Sequence, residues 1–377
     1  MKAVATDGRG GLRLVDVPAP ALPPDSAHVA VTLCGLCGSD VEKLALPGLA
    51  AGRVLGHEVV GWLESSDGSP VRVALAHHVP CGRCGLCRSG HSSLCAQFTT
   101  TDLDPGGFAE RLAVGPLHLA DAVFALPEAV DDLTGTLLEP LSCVLRALDA
   151  VAGVRAGFPL PAVGGRLPER RDEDPLRVLV AGCGSMGLLF LAVLAAEREA
   201  APGAAPGAAP IAATPGPASG TGHAAACVDP PPAAPALVVG DLYFLEPDPA
   251  RAALAVALGA QPWVSGGAEP PHVAVVTAPG ALADVVASMA PGGVVVVFAG
   301  PREPVALDLD VVYRRELTML GVRSGSPAHL RRALHLLASG NLPLSWFQPE
   351  VVALEGLPDA ARRYVSGEVL KVVVRCA

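Results

Sequence analysis

A chain of 377 residues that is 51% hydrophobic, 4% aromatic and 17% charged has material for about two domains with aliphatic cores, at roughly 150 residues per domain. Its 27 Lys plus Arg against 37 Asp plus Glu leave a formal net charge of −10, which repels phosphate backbones and anionic bilayers and excludes nucleic acid as an expected partner. Ten cysteines in a chain this long, opening on a strand pattern and not on a secretory leader, point to thiolates kept for metal in a reducing cytoplasm.

The opening MKAVATDGRGGLRLVDV reads as strand, turn, strand. Onward to about residue 125, short Val/Leu runs at 29–31, 59–62 and 71–75 alternate with Gly, Pro and Asp, so this region is expected to be mostly β. Residues 133–152 carry apolar side chains at helical spacing. Beyond them the pattern predicts a strand at 177–181, helices at 188–196 and 252–258, a strand at 273–277, a helix at 281–289, and strands at 294–299 and 317–322. Strands alternating with helices imply a doubly wound parallel sheet. The tail adds a helix at 329–339 and strands at 350–354 and 370–375. The uncharged run 178–196 approaches the length of a membrane span, but Gly182, Gly184 and Gly187 divide it into a strand and a helix, so no membrane association is expected. Residues 158–175 and the Ala/Pro/Gly-rich 200–235 read as insertions, both surface loops and the second largely disordered, because repeated Pro removes backbone donors.

Cys81, Cys84, Cys87 and Cys95 lie in PCGRCGLCRSGHSSLC with spacings of two, two and seven residues. Zinc prefers four tetrahedral soft ligands, and one short loop wraps it at little closure entropy, so the quartet reads as a closed, structural zinc site. A nucleic-acid zinc finger would need the basic patch that this acidic chain lacks. A second set is more dispersed: Cys37 with Ser39 in LCGLCGSD, His57 and Glu58 in VLGHEVVG, and Glu139 in LLEPLSC. A thiolate, an imidazole and a carboxylate give three protein ligands and leave one position open, the arrangement of a Lewis-acid site. His77 and His78 read as loop residues, while Cys34, Cys143, Cys183, Cys227 and Cys376 lack ligand spacing and are expected to pack.

Strand 178–181 runs into Gly182-Cys183-Gly184-Ser185-Met186-Gly187, a GxGxxG opening a helix. The first glycine permits the turn, the second admits a pyrophosphate and the third packs helix on sheet. The acid expected about 20 residues later falls where the 200–235 insertion sits. After it, LYFLEPDPARAALAVALGA offers Glu246 at a strand end, with Asp241 as the rival. A carboxylate at either place selects NAD by repelling a 2′-phosphate; the nearby Arg251 leaves NADP open. Arg323, after the last strand of the sheet, could reach the cofactor.

Through CGSD, GHE, the quartet, GGFAE at 106–110, LEP and the glycine fingerprint, the chain resembles the zinc-dependent medium-chain alcohol and polyol dehydrogenases, nearly end to end apart from the insertions. The resemblance implies a GroES-like, mostly β catalytic domain (1–145 and 325–377) and a Rossmann cofactor domain (146–324). It implies two zinc ions per chain, the catalytic one on Cys37, His57 and Glu139, with Glu58 a ligand in some states; and it favours Glu246 over Asp241, because the E-P-D-P-x-R spacing into a helix ending at Gly259 matches the family's. It also implies a homodimer or homotetramer, with 294–322 as the expected sheet edge, acting on a small alcohol or polyol. Where many members carry a histidine five residues after the cysteine, this chain has Glu42, and its CGSDxEK string is closer to the sugar-oxidising branch. Ser39 stands where the family places its proton-relay hydroxyl, with water, Glu58 or Glu42 carrying the proton onward. Reversible oxidation of a secondary alcohol, on a polyol, sugar or amino alcohol, is the activity expected. The alternatives are a zinc-independent quinone or enone reductase of the same fold and a non-catalytic nucleotide-binding homologue. Pocket walls are expected from the loops after Asp40 and around 98–108.

Overall fold

A computed structural model of the chain describes residues 1–46, 48–64, 69–155, 175–199, 237–266, 269–301 and 303–377. The expected insertions at 158–175 and 200–235 lie outside these residues, apart from Pro175, as does Cys227. The chain begins with an antiparallel pair, β1 (Lys2–Thr6) and β2 (Leu12–Asp16), joined across a Gly-rich turn. Next come β3 (Ala27–Leu36), helix α1 (Gly38–Leu44), β4 (Glu58–Leu63), β5 (Val71–Leu75), β6 (Arg111–Val114) and β7 (Val123–Ala125). Helix α2 (Leu138–Arg155) leads out of this β region.

The alternating segment follows: β8 (Leu176–Ala181), α3 (Ser185–Glu199), β9 (Val239–Leu245), α4 (Pro249–Ala257), β10 (Gln261–Pro262), β11 (Val273–Val276), α5 (Leu282–Ser288), β12 (Val294–Val297), α6 (Leu309–Arg314) and β13 (Thr318–Gly321). These strands form a parallel sheet in the order β10-β9-β8-β11-β12-β13. Because β8 pairs with β9 on one side and β11 on the other, chain direction across the sheet reverses beside it. The crevice at its carboxyl end is therefore the topological switch point, where doubly wound sheets take their ligands. Val178, Leu179, Val180, Val273 and Val275 are fully buried, as parallel strands covered on both faces require. Each contributes about 1.5–3 kcal/mol relative to exposure.

The chain then returns through α7 (Pro327–Ser339), β14 (Glu350–Ala353), α8 (Leu357–Ser366) and β15 (Val372–Arg375). β15 pairs antiparallel with β3, placing Val372 opposite Leu36, and the larger sheet runs β14-β15-β3-β4-β5-β7 with β6 also on β3. The α/β architecture is thus a mostly β unit beside a doubly wound parallel sheet. Helix α2 joins them. Its buried Leu138, Leu141, Val144, Leu148 and Val151 share one core with Val60 and Ala74 of the β unit and with Leu188 and Leu191 of α3, and α7 packs along it. The expected domain division at 145/146 falls in the middle of this helix.

Three of these helices, α1, α6 and α8, were not expected from the pattern. Pro358 in α8 reads as a breaker, yet it stands in the first turn, where Pro has no amide hydrogen to lose, and Gly367 closes the helix in the left-handed region at φ 83°. Helix α1 has only seven residues and buries an aspartate, Asp40.

Candidate functional site

Cys37 occupies the N-cap of α1, in extended backbone, directly after the central strand β3. Its backbone N–H donates to Asp40 Oδ2 (3.2 Å), and His57 Nδ1 meets Asp40 Oδ1 at 3.1 Å. One buried carboxylate therefore fixes two of the expected ligands, leaving His57 Nε2 directed away from it, 3.5 Å from Ser39 Oγ. Burial disfavours charge on both partners, but Asp40 outweighs it and holds His57 well above the usual imidazole range, while His57 and Lys43 hold Asp40 below its own. Asp40, the last residue of the CGSD motif, is a site residue to which the sequence reading gave no role. Its signal was its place three residues after a cysteine that caps a helix.

Glu58 opens β4 opposite Gly35 of β3. A Cβ at Gly35 would lie 1.9 Å from Glu58 Oε2, so the bare backbone there is what admits the carboxylate. Lys371, just before β15, places Nζ 2.5 Å from the same oxygen, and both side chains are buried. Burial works against the lysine's charge, yet Glu58 and Cys37 raise its pKa above the ordinary value. Glu58 Oε1 is buried without a hydrogen-bond partner. An orphaned carboxylate oxygen carries a desolvation cost that a cation would remove. The ligand atoms of Cys37, His57 and Glu58 all lie within 4.8 Å of one another. Soft sulfur, imidazole nitrogen and carboxylate oxygen at that spacing fit a zinc ion with an open position.

Glu139, in the first turn of α2, stands outside that trio. It is buried, and its Oε1 accepts from Cys143 Sγ at 3.4 Å one turn along the helix. Burial raises its pKa. His77 and His78, expected in a loop, instead line a cavity with Glu139, Ser142 and Ser324. The His77 ring lies 4.5 Å from that of His57 and 3.8 Å from that of His78, and burial pushes the His77 pKa well below its ordinary value. Glu42 is exposed on α1, whereas Glu58 is sealed by Lys371, so of the two expected proton carriers only Glu42 meets solvent.

The ligand atoms of Cys81, Cys84, Cys87 and Cys95 also lie within 4.8 Å of one another. Backbone N–H groups of Cys81, Cys84 and Cys87 each point at a thiol of the set, Cys95, Cys81 and Cys84 respectively, at 3.4 Å. The Cys81 and Phe98 amides push the Cys95 thiol down to about 6, while desolvation and neighbouring thiols push Cys87 up to about 12. Four sulfurs with amides aimed at them fit a closed tetrathiolate zinc site. Arg146 of α2 anchors this lobe, donating to the Gly90 carbonyl (2.8 Å) and to the carbonyls of Arg323 and Ser324. Of the other cysteines, Cys34, Cys143, Cys183 and Cys376 are buried.

At the end of β8, Gly182 adopts φ 95°, and a Cβ there would meet Thr277 and Ala278. A Cβ at Gly187 would lie 1.8 Å from the Gly182 carbonyl, while one at Gly184 would meet nothing within 4 Å. The outer glycines are closed by the fold, and the middle one faces open space, as a diphosphate cradle requires. Ser185 and Met186 start α3 beside it, and Thr277 Oγ1 donates to the Gly182 carbonyl at 2.8 Å. Glu246 follows β9 directly; its carboxylate accepts from the amides of Cys183 (2.7 Å) and Asp248 (3.0 Å) and so touches the glycine loop. Asp241 lies within β9 and is exposed. The Arg251 guanidinium donates to the Gly367 carbonyl at 3.0 Å, bracing α4 against the end of α8.

Residues 23–127 match the alcohol dehydrogenase GroES-like domain. The chain is 32% identical over 198 residues to a sorbitol dehydrogenase of Arabidopsis thaliana, covering 48% of this chain and 47% of that protein. It is 33% identical over 198 residues to a D-altritol 5-dehydrogenase of Agrobacterium fabrum, covering 50% and 53%. The chain thus spans about half the length of the curated relatives it matches. Its fold is similar throughout to an alcohol dehydrogenase from Escherichia coli CFT073 complexed with NADH, with a TM-score of 0.72 at 19% identity over 100% of this chain and 99% of that one. Among the described residues no helix is long and apolar enough to cross a membrane. Residues 23–127 thus belong to the alcohol dehydrogenase GroES-like domain family, and the chain that carries them is similar to polyol dehydrogenases in sequence over about half its length and to alcohol dehydrogenases in fold.

Proposed function

We propose that this protein is a zinc-dependent NAD(P) oxidoreductase that interconverts a secondary alcohol, carried by a polyol, sugar or amino alcohol, with its carbonyl. The observation that carries this reading is the buried, unpartnered Glu58 Oε1 beside Cys37 and His57. Zinc would supply Lewis acidity that lowers the pKa of a substrate hydroxyl toward neutrality, and NAD the hydride acceptor. Cys37, His57 and Glu58 hold the ion at rest. Glu139, engaged by Cys143, is the carboxylate in reserve. Asp40 keeps the proton of His57 on Nδ1, so that Nε2 is the ligand nitrogen. Ser39, half-buried beside that nitrogen, receives the substrate proton and passes it to water on the side of α1 where Glu42 is exposed. Gly182, Gly184, Ser185, Met186 and Gly187 cradle the diphosphate. Residues 1–145 with 325–377 form the catalytic unit in this reading, and 146–324 the cofactor unit.

The thiolate quartet suits the reducing cytoplasm. The β13 edge of the parallel sheet, preceded by exposed Leu309 and Tyr313 on α6, is where a homodimer or homotetramer would join. The test is elemental analysis paired with an oxidation screen of sugars, polyols and amino alcohols with NAD and with NADP. Two zinc ions per chain with turnover support the reading. No zinc, with quinone or enone reduction, supports the zinc-independent alternative.

Glu246 makes a separate prediction. A carboxylate at the end of the second strand accepts from ribose hydroxyls and repels a 2′-phosphate. Glu246→Ala is expected to lower the preference for NAD over NADP in kcat/KM by about tenfold or more, since losing a charge-assisted hydrogen bond costs ~1.5–3 kcal/mol. An unchanged cofactor ratio would place the ribose contact elsewhere.

A further inference from the structure

Arg146 stands about two helical turns beyond Glu139 on α2, on the same face of the helix. Its side chain is half-buried, and burial works against its charge. The three groups that bond it are all main-chain carbonyls: Arg323 at 2.6 Å and Ser324 at 2.9 Å on one amino group, Gly90 at 2.8 Å on the other. A planar guanidinium spent on backbone from two distant segments fixes geometry more than it balances charge. Both ends of this strut are defined. Gly90 closes the turn after Cys87, its N–H donating to the Cys87 carbonyl at 3.2 Å, so an ordered quartet fixes the carbonyl that Arg146 holds. Ser324 has a left-handed backbone, φ 59°, which costs energy in any residue with a side chain; the bond to its carbonyl opposes its relaxation. A Cβ on the next residue, Gly325, would lie 2.1 Å from Ser142 Oγ, which itself donates to the Glu139 carbonyl at 2.6 Å. Ser324 and Gly325 line the small cavity shared with Glu139 and His77, and the His77 ring lies against that of His57.

We propose that Arg146 is a positioning residue: by holding Ser324 in its left-handed backbone, it carries the order of the quartet lobe to the wall of the cavity beside the candidate catalytic metal site. The inference rests on the two-zinc reading above and adds a route by which an ion at the quartet affects chemistry at the other site. While the lobe is ordered, the guanidinium is pinned at Gly90 and its other amino group is aimed at the loop after β13. When the lobe loosens, that anchor is lost, the side chain swings toward solvent, and Ser324 relaxes into the ordinary backbone regions. Gly325 then withdraws from Ser142, and the turn of α2 that carries Glu139 loses the packing that fixes it. Lysine does not replace this strut, because one ammonium on a flexible stem cannot hold three carbonyls in a fixed fork.

The experiment is hydrogen–deuterium exchange of the zinc-loaded full chain, read by mass spectrometry over residues 322–326, for wild type, Arg146→Lys, Cys95→Ser and the double variant. Each single change is expected to speed exchange there by about tenfold or more, the effect of losing one charge-assisted hydrogen bond. Arg146→Lys should keep both zinc ions. The double variant should exchange no faster than Arg146→Lys alone, because the lobe acts on the loop through that one side chain. Guanidinium ion, at a concentration that leaves wild type unchanged, should slow exchange again in Arg146→Ala, and turnover of the best alcohol from the oxidation screen should fall and recover with the loop's protection. Rate increases that multiply in the double variant, unchanged exchange over 322–326 in Arg146→Lys, or no response of Arg146→Ala to guanidinium would overturn the proposal while leaving the dehydrogenase reading intact. A wild-type chain that takes up no zinc would overturn both.

Discussion

Cys37→Ser and His57→Ala are each expected to abolish turnover while NAD(H) binding persists. Both residues would contribute to a site whose Lewis acidity supplies several kcal/mol of charge stabilisation. At about 1.4 kcal/mol per tenfold in rate, losing it means a decrease of about a thousandfold or more. The glycine cradle lies on the other sheet and shares no hydrogen bond with Cys37 or His57 among the described residues, so a fluorescence titration with NADH should give nearly the wild-type affinity. Metal analysis should show one zinc ion lost of two. Near-normal activity in either variant after chelation would show that these side chains hold no catalytic ion. The Asp40 link makes His57→Ala the harsher change, because it strands a buried carboxylate as well as removing a ligand.

Cys95→Ser should do the opposite, lowering stability more than chemistry. Most of the quartet segment is exposed, including Leu86 and Leu94, so it buries little apolar surface and a bound ion would take the place of a core. Structural zinc binding is worth on the order of 10 kcal/mol. Loss of even a third of that, at ~2–4 °C of Tm per kcal/mol for a domain of 150–250 residues, should reduce Tm by about 10 °C. Arg146 ties the lobe to α2 and to the loop after β13, so the loosening should extend beyond the lobe. Equal melting temperatures for variant and wild type would mean that the four sulfurs contribute nothing to the fold. Calorimetry with and without a strong chelator makes the same comparison in the unmodified protein.

Sequence alone conveyed what is local. The quartet was legible because all four ligands fall within fifteen residues, and the cofactor cradle because its glycines follow a Val/Leu strand and precede a helix. Choosing Glu246 over Asp241 depended on the family's E-P-D-P-x-R spacing into the next helix, and in the structure Glu246 accepts from the Cys183 amide. Relations between distant segments were not legible. Lys371 lies 313 residues from Glu58, and no spacing rule connects them. Gly35 gave a faint hint, since a glycine two residues before a candidate ligand in a strand can mark a close approach. His77 and His78 read as a polar pair in a turn, and only tertiary packing against His57 and Phe98 buries them. Helix α8 was hidden by a proline whose meaning depends on its position within the first turn.

The ion pair between Lys371 and Glu58 bears on how the molecule is made. Cys37, His57 and Glu58 leave the ribosome early, but the ammonium group that balances the glutamate comes from the last strand of the sheet to be translated. A growing chain that stops short of that lysine has Glu58 without its counter-charge and lacks β15 against β3. Completion of the pocket therefore waits on translation of Lys371, 313 residues after Glu58, and of β15 behind it.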